Sequence, residues 1–287
     1  VGGADGEAGE RTPVGGAVTA GRRVTLAGAV AVLVAANVLN NRLAPRLAPL
    51  TSAVATGALL ALARRSGLSW SELGFHRRSR GLRIGGALAS AVAAVYGAGI
   101  AIPATRRFFR DERALSLSTA RAFEEALLQV PIGTVLLEEV GFRGVLHALL
   151  ARSYGPRPAV VVSSALFGLW HVLPAMDMAT ANPALSGLAS GEAPGGGASG
   201  DGPRGGGGGD GRPADPRLEV SRVVVGSVAA TGLAGAVFCE LRRRGGLAAP
   251  ALLHVATNSL GYLFARLAPA EPFRQGERPV PAPEHPA

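Results

Sequence analysis

The apolar residues of this chain fall into long runs separated by short arginine clusters. Near-continuous hydrophobic stretches occupy about 24–40, 47–63, 84–104, 131–151, 158–176, 219–240 and 247–267. Each approaches the roughly 20 residues that an α-helix needs to cross about 30 Å of hydrocarbon. The pattern predicts an all-α, polytopic transmembrane helical bundle of about seven spans. The first two runs are short enough to form one re-entrant pair instead. Residues 114–130 read as an amphipathic helix lying at the interface, with Phe123 and Leu127 on its apolar side.

The regions between and around the runs divide the chain. Residues 1–22 are expected to form a disordered tail, not a cleavable signal, because no apolar core precedes a cleavage site there. N-terminal transmembrane helices fill 23–113, a catalytic helical core fills 114–267, and 268–287 is a second disordered tail. Within the core, 187–216 reads as a disordered Gly-rich loop with five successive glycines at 205–209. No strand precedes those glycines and no Gly-Lys-Ser/Thr follows, which argues against a phosphate-binding loop.

Composition sharpens the class. Of 287 residues, 48% are hydrophobic and only 17% charged, against about 25% charged in ordinary soluble domains. The net charge of +9 comes entirely from arginine. Those arginines flank apolar runs as membrane loops do, which argues against nucleic acid as a partner. With seven spans their numbers on the two sides balance. Discounting the distant Arg204 and Arg212 tilts the balance toward a cytoplasmic N-terminus. The single cysteine, Cys239, excludes an internal disulfide and a multi-cysteine metal site.

The informative residues are ionisable groups inside the apolar runs. The stretch PIGTVLLEEVGFRGVLHALLA (131–151) places Pro131 at a first helical turn, then buries Glu138, Glu139 and Arg143. A charge at the centre of a membrane helix costs roughly 2.5–3.5 kcal/mol, so such a group is a functional-site hypothesis by default. Glu139 and Arg143 are four apart and can pair on one helix face. Glu138 is rotated by about 100° and has Phe142 at its i+4 position. It is therefore the carboxylate left for chemistry, and a carboxylate without its own cation in low dielectric is a strong base. The alternative is one buried salt-bridge network of all three.

Two further runs contribute polar groups. SSALFGLWHVLPA places His171 four residues after Phe167, and PALLHVATNSLGY places His254 and Asn258 four apart on one face. Each alone suits a hydrogen-bonded structural residue. At 1.5 Å per residue, Glu138 and His171 lie about 10 and 8 Å from the same side, Asn258 about 13 Å and His254 about 19 Å. Together they form a hydrolytic kit: Glu138 and His171 to hold and deprotonate water, His254 and Asn258 to donate to an oxyanion. Glu124-Glu125 lacks an arginine at 129 and reads as a solvated face. His147 projects away from Glu138, Trp170 reads chiefly as packing, and Cys239 as inert.

EEVGFR (Glu138–Arg143), FGLWH (Phe167–His171) and HVATN (His254–Asn258) match Glu-Glu-x-x-x-Arg, Phe-x-x-x-His and His-x-x-x-Asn, in order and on separate predicted spans. Over about 124–267 the chain resembles the CPBP intramembrane protease family, also called Abi or CAAX prenyl protease 2-like. The resemblance implies a multi-pass, bacterial plasma-membrane endopeptidase acting on membrane-associated or lipid-modified peptides, with a cavity open to one membrane face. It implies Glu138 as base and His171 as water partner, with His254 and Asn258 completing the site. The partners it implies are a peptide or membrane-anchored protein and the lipid bilayer. Zinc or another divalent metal on Glu138, His171 and His254 is one reading, but His-Glu-x-x-His is absent, and direct activation of water by the carboxylate is preferred. The long Gly-rich insert departs from the family pattern. Two alternatives stand beside this reading: a non-catalytic immunity or scaffold protein, and a proton-coupled transporter, against which the lack of an inverted repeat counts.

Overall fold

The computed structural model describes residues 14–106, 109, 112–181 and 216–268. The tail expected over 1–22 thus lies outside the described residues up to 13, and the helix Val14–Val38 (α1) occupies the rest. The Gly-rich loop, except Pro216, and the C-terminal tail beyond 268 also lie outside them. Among the described residues every regular element is helical.

Helix α1 ends in a π-turn, Leu39–Leu43, and turns through Pro45–Leu47 into Ala48–Arg65 (α2). Arg78–Ala101 (α3) follows. Residues 119–154 (α4) form one continuous helix, opened by Ser118, whose side chain accepts from the Arg121 N–H. Pro156–Trp170 (α5) and Val172–Ala181 (α6) follow, and Pro216–Gly245 (α7) and Ala248–Leu267 (α8) complete the bundle. Helix α8 packs most closely on α3, and α7 on α5.

Among the described residues five helical stretches are long and apolar enough to cross a membrane: Gly21–Leu43, Pro45–Arg65, Arg78–Ala101, Pro156–Asp177 and Val220–Gly245. The first two are separate stretches of 23 and 21 residues, each long enough to cross by itself. The other two expected spans, in α4 and α8, fall short of that measure. Glu138, Glu139 and Arg143 interrupt α4, while His254, Thr257, Asn258 and Ser259 dilute α8. Of these groups Glu138, Glu139, Arg143, His254 and Ser259 are buried in the bundle, while Asn258 is exposed.

Helix α4 departs from expectation in two further ways. The interfacial helix of 114–130 is not a separate element: from Thr119 it runs straight into the core helix, with Phe123 and Leu127 exposed on its surface. Pro131 is therefore inside a helix and not at its start. It sits within a π-helical stretch, Glu125–Val135, whose wider turns relieve the crowding that a proline ring imposes on the preceding turn. A second π-helical stretch, Glu139–Leu146, carries the Glu139–Arg143 pair.

Close backbone approach holds α8 in place. Gly81 and Gly85 lie four apart on α3 and face α8. A Cβ on Gly85 would stand 2.8 Å from Leu252 Cβ and 2.9 Å from the Ala249 carbonyl oxygen, and one on Gly81 would overlap the Gly245 carbonyl oxygen. Small residues at this spacing let membrane helices pack backbone to backbone. Hydrogen bonds bind the same layer: Tyr96 OH donates to Thr257 O at 3.1 Å, and Ser259 Oγ donates to Ala126 O on α4 at 2.6 Å.

Candidate active site

The π-helical stretch of α4 brings Glu139 and Arg143 within 3.4 Å (Oε1 to Nη1), both almost fully buried. The arginine charge is stabilised by more than this carboxylate. Its Cζ lies 3.7 Å from the Phe167 ring centroid and 4.9 Å from that of Phe238, placing the guanidinium against two aromatic faces. Phe167, the first residue of the Phe-x-x-x-His motif, thus has a charge-holding position, and its ring also meets His171 edge-on at 4.6 Å between centroids.

Glu139 does more than pair with arginine. Its Oε1 lies 2.8 Å from His254 Nδ1, so the ring donates from Nδ1 to the carboxylate. The other ring nitrogen, Nε2, is 3.6 Å from Glu138 Oε2. His254 therefore bridges the two adjacent glutamates. Sequence spacing assigns Glu139 to Arg143 alone and pairs His254 with Asn258. In the fold His254 is buried between carboxylates, while Asn258 is exposed to a cavity.

Glu138 is buried, with its oxygens unequal. Oε1 accepts a 2.8 Å hydrogen bond from Trp170 Nε1, whereas Oε2 has no hydrogen-bond partner. Trp170 itself is fixed from α1, where Asn37 Nδ2 donates to its carbonyl at 2.9 Å. Reading Trp170 chiefly as packing missed this bond. The residue before His171 is the nearest sequence signal, and it has no helical-spacing relation to Glu138 that would reveal it.

His171 is the single residue that leaves helical geometry between α5 and α6, inside the apolar stretch Pro156–Asp177 that matches the expected run of 158–176. Its backbone takes φ −85° and ψ 1°, and its Nδ1 lies 2.8 Å from Phe167 O. The ring donates there, leaving Nε2 available. Glu138, Trp170, His171 and Asn258 all line one cavity of about 330 Å³, together with Asn40, Asn41 and Gln129. Asn40 and Asn41 were missed because the first span seemed remote from the motifs; three asparagines at 37, 40 and 41 in an apolar helix were the available signal. Glu125, also on this cavity, pairs with Arg121 at 3.0 Å, and Glu124 pairs with it at 2.6 Å. The double glutamate therefore has an arginine partner three and four residues upstream.

Among the described residues no three His, Cys, Asp or Glu side chains gather in a metal-holding group. Glu138 Oε2 and His254 Nε2 form a pair of donors, and His171 is not grouped with them. The arrangement does not fit the three protein ligands of a catalytic zinc.

Comparison with protein-family models matches residues 125–260 to type II CAAX prenyl endopeptidase Rce1-like, just under half the chain and inclusive of all three motifs. Comparison with curated proteins and with solved structures gives no match.

Proposed function

We propose, from the match of residues 125–260 to the Rce1-like type II CAAX prenyl endopeptidase model and from helices long and apolar enough to cross a membrane, an intramembrane endopeptidase that cleaves membrane-anchored or lipid-modified peptides by carboxylate-activated water. The observation that carries this reading is Glu138, a buried carboxylate in the wall of a polar cavity, whose Oε2 accepts no hydrogen bond and lies 3.6 Å from His254 Nε2. In this reading α4 and α8 cross the bilayer with the five apolar stretches, giving seven spans in a bacterial plasma membrane.

Glu138 takes a proton from water in the cavity as that water attacks the scissile carbonyl carbon. His171 orients the water. The oxygen of the tetrahedral intermediate accepts from the Asn258 amide and from His254, whose ring Glu139 holds in position. Glu138 then returns its proton to the leaving amine as the C–N bond breaks. Each assignment follows the requirement that base, orienting group and oxyanion donors surround one position.

The test is cleavage of a quenched fluorescent peptide whose lipid-modified cysteine is followed by three further residues, by the full chain in proteoliposomes. Glu138→Gln and His171→Ala are expected to lose about 10²–10⁴-fold in kcat while inserting normally. Full activity in either variant overturns the assignment. Activity that disappears on chelation and returns with a divalent metal overturns the carboxylate-only mechanism.

A further inference from the structure

A second cavity, larger and of opposite character, lies behind the catalytic helix. Its volume is about 460 Å³, and its walls are almost wholly apolar, including Leu82, Ile132, Val135, Val140, Ala251 and Val255 from α3, α4 and α8. Two sets of contacts define its position. Gly81 approaches Gly245, and Leu247 N donates to Gly74 O at 2.9 Å, so the starts of α3 and α8 and the end of α7 share one end of the bundle. Arg266, at the other end of α8, donates to Ala114 O and Leu117 O just before α4 begins. The polar cavity reaches the latter end, through Asn41, Pro45 and Ala48. The apolar cavity reaches the former, through Gly74, His76 and Arg78. The two meet α4 at neighbouring residues, Glu138 in one wall and Glu139 in the other.

We propose that this apolar cavity is a binding site for an anionic phospholipid, with an acyl chain between α3, α4 and α8 and the phosphate at Arg78. Three observations select that occupant. The cavity runs from the arginine-bearing end toward mid-bundle, the depth at which Glu139 sits, as an acyl chain entering from a headgroup layer does. Its wall carries one exposed cation, Arg78, which makes no ion pair or side-chain hydrogen bond among the described residues. Exposed Arg77, Arg80 and Arg83 surround it and add to the positive potential. The only acidic wall residue, Glu139, is already engaged by Arg143 and His254. The site lies on the face of α4 opposite to the one used for hydrolysis, and its occupancy does not depend on the proposed peptidase activity.

Native mass spectrometry of the detergent-purified full chain tests this, using dioleoyl phosphatidylglycerol and dioleoyl phosphatidylcholine as probes. The chain is expected to retain phosphatidylglycerol at least fivefold better than phosphatidylcholine. Arg78→Gln should erase that preference, and Arg83→Gln, on the same helix but outside the cavity wall, should keep it. Ala251→Phe, which fills the cavity, should lose both lipids. Equal retention of the two lipids by the unmodified chain, or an undiminished preference in Arg78→Gln, overturns the proposal. Because the readout is binding, an inactive protein that still selects phosphatidylglycerol refutes the peptidase reading alone.

Discussion

Trp170 Nε1 donates to Glu138 Oε1 at 2.8 Å, and Oε2 has no hydrogen-bond partner. A carboxylate on a flexible side chain in a wet cavity would otherwise present either oxygen. The indole selects one, and Asn37 holds the indole's backbone from another helix. Trp170→Phe keeps the ring contact with Phe142 and removes the donor. Hydrogen bonds to charged groups are worth about 1.5–3 kcal/mol. The expected outcome is a fall of about 10–100-fold in kcat with little change in KM, read by peptide cleavage. An unchanged kcat would show that the bond does not position the carboxylate.

The Glu139–His254 bond yields a prediction that separates folding from catalysis. Removing one member of a buried ion pair costs about 3–5 kcal/mol because the other charge is stranded. Glu139→Gln should therefore lower the thermal midpoint sharply, leaving Arg143 with only its aromatic faces. Adding Arg143→Met should restore most of the lost stability, since no unpaired cation remains. Activity should stay low in the double variant, because His254 still lacks its carboxylate. Recovery of cleavage along with stability would reduce Glu139 to a scaffold for Arg143.

How far the site could be read from sequence depends on the range of the contact. Helical spacing was enough to set Glu138 apart from Glu139 and to place Arg143 beside Glu139, since i and i+4 neighbours are local. It did not reveal His254 between the two glutamates, because that geometry depends on how α8 packs on α4, 115 residues away. The role of Trp170 was hidden for the same reason. Its partner is 32 residues upstream, and Pro174, which takes the helix N–H away from the Trp170 carbonyl and marks the break at His171, does not show where the indole points. Hydropathy found the apolar helices, but it counted α4 and α8 with them. Their polar residues are tolerated because neighbouring helices cover them, which a one-dimensional average cannot register.

Gly85 provides a test of the α3–α8 contact that positions His254. Gly85→Ala introduces a Cβ 2.8–2.9 Å from Leu252 Cβ and the Ala249 carbonyl oxygen, neither of which is the end of a flexible side chain. Overpacking of this kind costs typically about 1–3 kcal/mol. Gly86→Ala meets nothing within 4 Å and gains helix propensity. Melting curves should show the first variant destabilised and the second unchanged or slightly stabilised. The first should also lose cleavage, as α8 moves away from α4. Equal midpoints for the two would mean that the helices relax apart without cost.

The loop joining α2 to α3 carries a pH dependence that lies outside the apolar stretches. Glu72 accepts from the Ser69 N–H at 2.8 Å, and also bonds Arg152 at 2.5 Å and the Ser69 hydroxyl at 2.8 Å. These bonds favour its charged form, the Ser69 backbone bond most of all, and lower its pKa from 4.5 to about 2. Because the folded value lies below the unfolded one, the stabilisation is complete above about pH 4.5 and disappears as pH falls toward 2. Glu72→Gln should therefore lower the thermal midpoint at neutral pH, and the gap between the two proteins should narrow through that acid window. The group is well exposed, so solvent screens its ion pair and the gap should be modest. A constant gap from pH 7 to pH 2 would show that the side chain acts through packing of the loop and not through its charge.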